Sequence, residues 1–124
     1  QSSTVITEKV LNYFKSIAPD NVTVSAFEHH GGEPYITPID SHEYQSAAKA
    51  IATTFGKEPI PVRGGGSIPI CSLFEQELGL KIVFMGFGLD SDNLHSPNEK
   101  YDIVNFYKGI ETIPYFHQFF AEKK

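Results

Sequence analysis

The chain is poor in the residues that would mark several common classes of protein. A single cysteine, Cys71, among 124 residues rules out an internal disulfide. That economy suits a reducing, cytoplasmic setting. Basic residues are outnumbered, 10 Lys and Arg against 15 Asp and Glu, for a formal net charge of −5. The longest basic run is the terminal pair Lys123–Lys124. Nucleic acid needs clustered phosphate-neutralising cations, so it is not an expected partner. No apolar run approaches the roughly 20 residues of a membrane span, and no signal peptide is visible. No repeat or low-complexity segment appears. The first residue is Gln1 rather than Met, so the natural product is expected to begin further upstream.

What is present is enough apolar material for one domain: 40% hydrophobic residues, with ten Phe and six Tyr. Val5, Val10, Leu11, Phe14 and Ile17 recur with helical spacing and predict a helix over residues 4–17, with Thr7 as a cap for a start inside it. Pro19-Asp20-Asn21 breaks it, and residues 22–27 alternate as a strand does. Asp40-Ser41, with Glu43 three residues after Asp40, reads as a capped start of a second helix that Gly56 ends. A short strand is expected over residues 60–62. After Gly64-Gly65-Gly66, Pro69 belongs to the first turn of a third helix, which stops at Gly79. Residues 81–87 form an apolar run bounded by glycine, the pattern of a strand buried on both faces. A polar loop over 90–100 leads to a last helix over 103–121, with Phe106, Ile110, Ile113 and Phe120 inward and a kink or restart at Pro114.

This order predicts half of an α/β layer fold from Asp40 onward. One long buried strand cannot complete a sheet, so the remaining strands must come from chain outside these residues or from another molecule.

Three places could carry chemistry. Arg63, Gly64, Gly65, Gly66 and Ser67 run into a helix N-terminus. There, free amides and the dipole favour an anion, and the guanidinium suits a carboxylate or phosphate. The alternative is a flexible turn with a surface Arg; no Gly-Lys-Ser/Thr ending makes it a Walker loop. His95 follows the buried strand, at the edge where open α/β sheets place ligands. It is either a zinc ligand, with Asn98 or Glu99 in support, or a solvated loop residue. Asp90 and Asp92 offer oxygen donors without the spacing of an EF-hand. His29 and His30, adjacent on a strand, would point to opposite faces, so one at most joins a site. His42 and His117 are assigned to helix surfaces, and Cys71 to a small buried apolar position.

Three motifs then resemble one family. His30-Gly31-Gly32-Glu33-Pro34-Tyr35 is similar to the His-Gly-Gly-x-Pro-aromatic segment of carnosinase-type zinc metallopeptidases. Arg63-Gly64-Gly65-Gly66-Ser67-Ile68-Pro69 resembles their Arg-x-Gly-Gly-Ser-Ile-Pro loop. His95-Ser96-Pro97-Asn98-Glu99 resembles their His-Ser-x-Asn-Glu ending before a terminal helix. The family includes cytosolic dipeptidases, acetylornithine deacetylase, succinyl-diaminopimelate desuccinylase and glutamate carboxypeptidases.

The resemblance implies a catalytic α/β domain holding two zinc ions, interrupted by a lid that dimerises. Residues 1–32 would end the lid/dimerisation domain, and 33–124 would form the C-terminal part of the catalytic domain. It further implies His95 as a zinc ligand, and Arg63, Gly65, Gly66, Ser67 and His30 as contacts for a dipeptide or N-acyl amino acid. The family's other metal ligands, its general-base Glu and the His lent across its dimer have no counterpart in this sequence. No catalytic residue is therefore expected in this chain, which alone should be inactive; the parent should be a cytoplasmic homodimer. A non-catalytic carboxylate-binding module and a dimerisation piece are the competing readings.

Overall fold

A computed structural model describes residues 1–64 and 68–122. Four helices organise them: α1 (Ser3–Ser16), α2 (His42–Phe55), α3 (Ile70–Leu78) and α4 (Ile103–Ala121), with a 3-10 turn at Asp90–Asp92. The chain divides into two compact units. The first comprises Gln1–Ile36 and Arg63–Leu80, the second Thr37–Val62 and Lys81–Lys124.

In the first unit, α1 starts earlier than Thr7, which lies inside the helix and donates its hydroxyl to Glu28 Oε1 at 3.1 Å. Ser2, the N-cap residue of α1, makes no side-chain capping hydrogen bond within the helix. The role falls to a residue thirty positions away: Glu33 Oε1 accepts from the amide of Ser3 at 3.0 Å and from its hydroxyl at 2.7 Å. An acid at this end satisfies a free amide and complements the helix dipole. Helix α3 follows Pro69 and ends at Gly79, whose φ of 64° is the left-handed C-cap conformation. Cys71 is buried and unpaired, as its small apolar character suggested.

In the second unit α2 and α4 pack together, the only helix pair to do so among the described residues. Ser41, rather than Asp40, caps α2, its hydroxyl accepting from the Tyr44 amide at 3.2 Å. Gly56 closes α2 at φ 71°. The contact side of α2 carries small residues, with Ala50 fully buried. Thr112 of α4, also 0% exposed, joins Thr54 of α2 through a 2.7 Å hydroxyl–hydroxyl hydrogen bond. Nearby, Phe87 stacks on Phe55 with the rings 5° from parallel.

Two helical expectations change. The buried side of α4 carries Gly109 and Thr112, whereas Phe106, Ile110, Ile113 and Phe120 are exposed, Ile110 by 55%. Apolar residues encircle α4, so period alone could not say which side meets α2. Helix α4 also runs through Pro114 without the restart that was one of the two expected outcomes there. Proline lacks the amide that would reach the Ile110 carbonyl, a loss that an exposed position tolerates.

No strand occurs among the described residues; 22–27, 60–62 and 81–87 have no ladder partner. A strand exists only when another backbone pairs with it. Residues 81–87 alternate between half-buried Ile82, Val83, Met85 and Phe87 and exposed Phe84 and Gly86, rather than being buried on both faces. One anchor is present: the Thr37 hydroxyl donates to the Ile82 carbonyl at 2.7 Å.

Candidate functional site

Each motif has its own local structure. In the first unit His29 and His30 are both exposed and off any strand, their rings edge-to-face at 6.2 Å. The glycines beside them have a packing reason. A Cβ on Gly32 would overlap Pro69, and one on Gly31 would crowd Glu28 Oε1 and Ser3 at 3.1–3.2 Å. Gly32 therefore lets the His-Gly-Gly segment press on the first turn before α3. Two of the three motifs meet at this glycine, a contact with no signal in the sequence. Arg63 is exposed in the same unit, and no hydrogen bond joins it to His30. Gly65, Gly66 and Ser67 lie outside the described residues, as does the Lys123–Lys124 pair.

His95 belongs to the second unit, on the loop 89–100 between the apolar segment and α4. Asp92 closes the base of this loop. Its Oδ2 accepts from the Leu89 amide at 2.7 Å, its Oδ1 from the Lys100 ammonium at 3.1 Å, and its carbonyl from the Lys100 amide at 2.9 Å. The Leu89 hydrogen bond first, then Lys100, holds the Asp92 carboxyl below its usual pKa against the opposing effect of desolvation. Asp92 is 4% exposed, so its carboxylate is consumed in closing the loop and does not serve as a calcium-type donor. Sequence reasoning weighed Asp92 only as a metal ligand and passed over Lys100.

Above this base the backbone turns three times through the left-handed region, at Asn93 (φ 54°), His95 (φ 59°) and Asn98 (φ 63°). Few non-glycine residues enter that region, and Asn and His are among those that do so most often. The imidazole is exposed and, among the described residues, makes no hydrogen bond, leaving a ring nitrogen uncommitted. That donor fits a zinc ion, as one ligand. Among the described residues no three His, Cys, Asp or Glu side chains converge on a common point. The hollow beside the loop, about 760 Å³, is lined by Leu89, Asp90, Asn93, Ser96 and Tyr101 but not by His95. His42, expected on a free surface, is instead half-buried at the start of α2, with Nε2 2.8 Å from the Phe120 carbonyl. His117 is exposed, as expected.

Residues 4–117 match the family model of peptidase family M20/M25/M40. The chain belongs to this family. The Cys-Gly metallodipeptidase dug1 of Schizosaccharomyces pombe is 37% identical over 116 residues, covering 92% of this chain and 24% of that protein. The Beta-Ala-His dipeptidase of Homo sapiens is 38% identical over 92 residues, 74% of this chain and 18% of the relative. Among solved structures, human carnosine dipeptidase 1 superposes with a TM-score of 0.80 at 28% identity, covering 99% of this chain and 26% of that one. The dipeptidase Dug1p of Saccharomyces cerevisiae gives 0.71 at 33% identity, over 76% of this chain and 20% of its own. The chain thus spans about a quarter or less of the length of the M20 relatives it matches. The backbone path of almost all of it is that of an M20 dipeptidase segment.

Proposed function

We propose that this chain is the C-terminal part of a zinc-dependent M20 hydrolase that cleaves dipeptides or N-acyl amino acids. The match of residues 4–117 to the M20/M25/M40 family model, together with the similarity to metallodipeptidases, carries this reading. In it, residues 1–32 end a lid and dimerisation domain, and 33–124 belong to a catalytic α/β domain in which 81–87 becomes a sheet strand. The exposed apolar residues of α1 and α4, Phe14 and Ile110 among them, support the presence of further chain that covers them.

His95 offers one imidazole nitrogen to zinc, and the remaining donors come from the rest of the polypeptide. When bound, the metal pair supplies Lewis acidity and an acidified water. This chain's own groups bind and orient. Arg63 holds the substrate carboxylate by charge-assisted hydrogen bonds, Gly65, Gly66 and Ser67 are further substrate contacts by motif resemblance, and His30 touches the substrate from the Gly-Gly segment. A lone imidazole falls short of the roughly three protein ligands of a catalytic zinc, so the 124-residue chain alone is inactive.

The test is made in the complete protein. His95→Ala should lose bound zinc by elemental analysis. Arg63→Ala should keep its zinc and lose on the order of tenfold or more in kcat/KM, since hydrogen bonds to charged groups contribute about 1.5–3 kcal/mol. Unchanged zinc content in the first variant would refute the ligand assignment. Carboxylate binding without turnover in the complete protein would leave only an anion-binding module.

A further inference from the structure

We infer that Asp92 and Lys100 are positioning residues for His95, fixing the loop so that its imidazole is presented ready for metal. The inference rests on the reading of His95 as a zinc ligand. Asp92 is the one buried charged residue among those described. Taking a carboxylate out of water is unfavourable unless donors replace the water, and here both oxygens have one. The donors stand at the two ends of the loop: Leu89 before it at 2.7 Å, Lys100 after it at 3.1 Å. The main chain repeats the closure, Lys100 N donating to the Asp92 carbonyl at 2.9 Å.

Within the closed ring, Ser96 ties the crown internally. Its amide and hydroxyl both reach the Asn93 carbonyl at 2.9 Å. His95 has no such tie and sits at φ 59°, a conformation that a His keeps only where its surroundings over-determine it. The over-determining contacts lie in the Asp92 base, so loosening that base frees the imidazole to leave its metal-ready position. A ligand that must be ordered at the moment of binding holds its metal less tightly.

The experiment uses the complete protein and zinc alone, competed against a chelator well below the melting temperature. Lys100→Met is the principal variant, because that side chain is 55% exposed and its loss leaves the Leu89 hydrogen bond in place. It should raise the zinc dissociation constant by on the order of tenfold at a temperature where the variant is fully folded, and alter the visible spectrum of the cobalt-substituted protein. Asp92→Ala should weaken binding further, and Asp92→Asn, which keeps an oxygen for Leu89, should recover part of it. If His95→Ala loses zinc while Lys100→Met and Asp92→Asn bind it as the parent does, the positioning role is overturned and the ligand assignment stands. If His95→Ala itself binds zinc normally, both fall.

Discussion

The ammonium of Lys100 lies 3.1 Å from Oδ1 of Asp92, with the acid almost fully buried and the base half in water. An exposed ion pair is usually worth little. This one differs because the buried partner also holds the Leu89 amide, so its ionised form is what keeps the loop closed. The folded chain depresses the Asp92 pKa below its ordinary value of 3.8, with Leu89 the larger cause and Lys100 the smaller. The stabilisation is therefore fully present above that value and disappears as pH falls through the lower, folded-state value. We expect the carboxyl-carbon shift of Asp92 to titrate with a midpoint below 3.8, and Lys100→Met to move it only part of the way back. A midpoint at or above the ordinary value would show that the carboxylate is not held as described. Glu33, depressed chiefly by the Ser3 hydroxyl, should follow the same sign at the start of α1.

The start of α2 separates two neighbouring caps. Ser41 accepts the Tyr44 amide and is buried, whereas Asp40 is exposed and outside the cap position. Ser41→Ala should cost about 1 kcal/mol, the usual loss when an N-cap hydroxyl is removed, and Asp40→Ala should be close to neutral. Denaturant midpoints of the two variants in the complete protein decide it. A larger loss for Asp40→Ala would reverse the assignment.

The contrast between these two residues illustrates what a linear sequence can and cannot carry. The helices were legible because their signals are local: a cap, a period, and a left-handed glycine at Gly56 and Gly79. The bounds of α4 were legible for the same reason, and its inner face was not. Choosing between Ile110 and Gly109 requires knowing the partner helix, and a small residue that permits close approach has no hydrophobic signature. The segments expected as strands over 22–27 and 81–87 have the right residues, but a strand needs a paired backbone, and none of the described residues supplies one. At the candidate site, motif resemblance named His95, Arg63 and His30 as proposed contacts and could say nothing of how the loops around them close. Asp92–Lys100 and Gly32–Pro69 were not legible, because each joins positions whose approach is decided by folding rather than by spacing.

Gly109 allows a direct test of the packing that fixes α4 against its unit. Replacing glycine by alanine in a helix interior ordinarily stabilises by about 1 kcal/mol, through lower backbone entropy in the unfolded chain. Here the added methyl would stand 2.9 Å from Cδ2 and 3.2 Å from Cγ of Phe87. Those atoms belong to the root of a ring already stacked on Phe55, so the ring cannot swing aside without losing that contact. Overpacking of this kind costs about 1–3 kcal/mol, which outweighs or cancels the propensity gain. Gly109→Ala should therefore lower or leave unchanged the denaturant midpoint of the complete protein. Phe87→Ala, by removing the Cγ and Cδ2 atoms that obstruct the methyl, should let the alanine at 109 show its favourable helix propensity in the double variant, giving a coupling free energy of about 1 kcal/mol or more in the cycle. A clear stabilisation by Gly109→Ala alone would mean that Phe87 does not press on α4 as found.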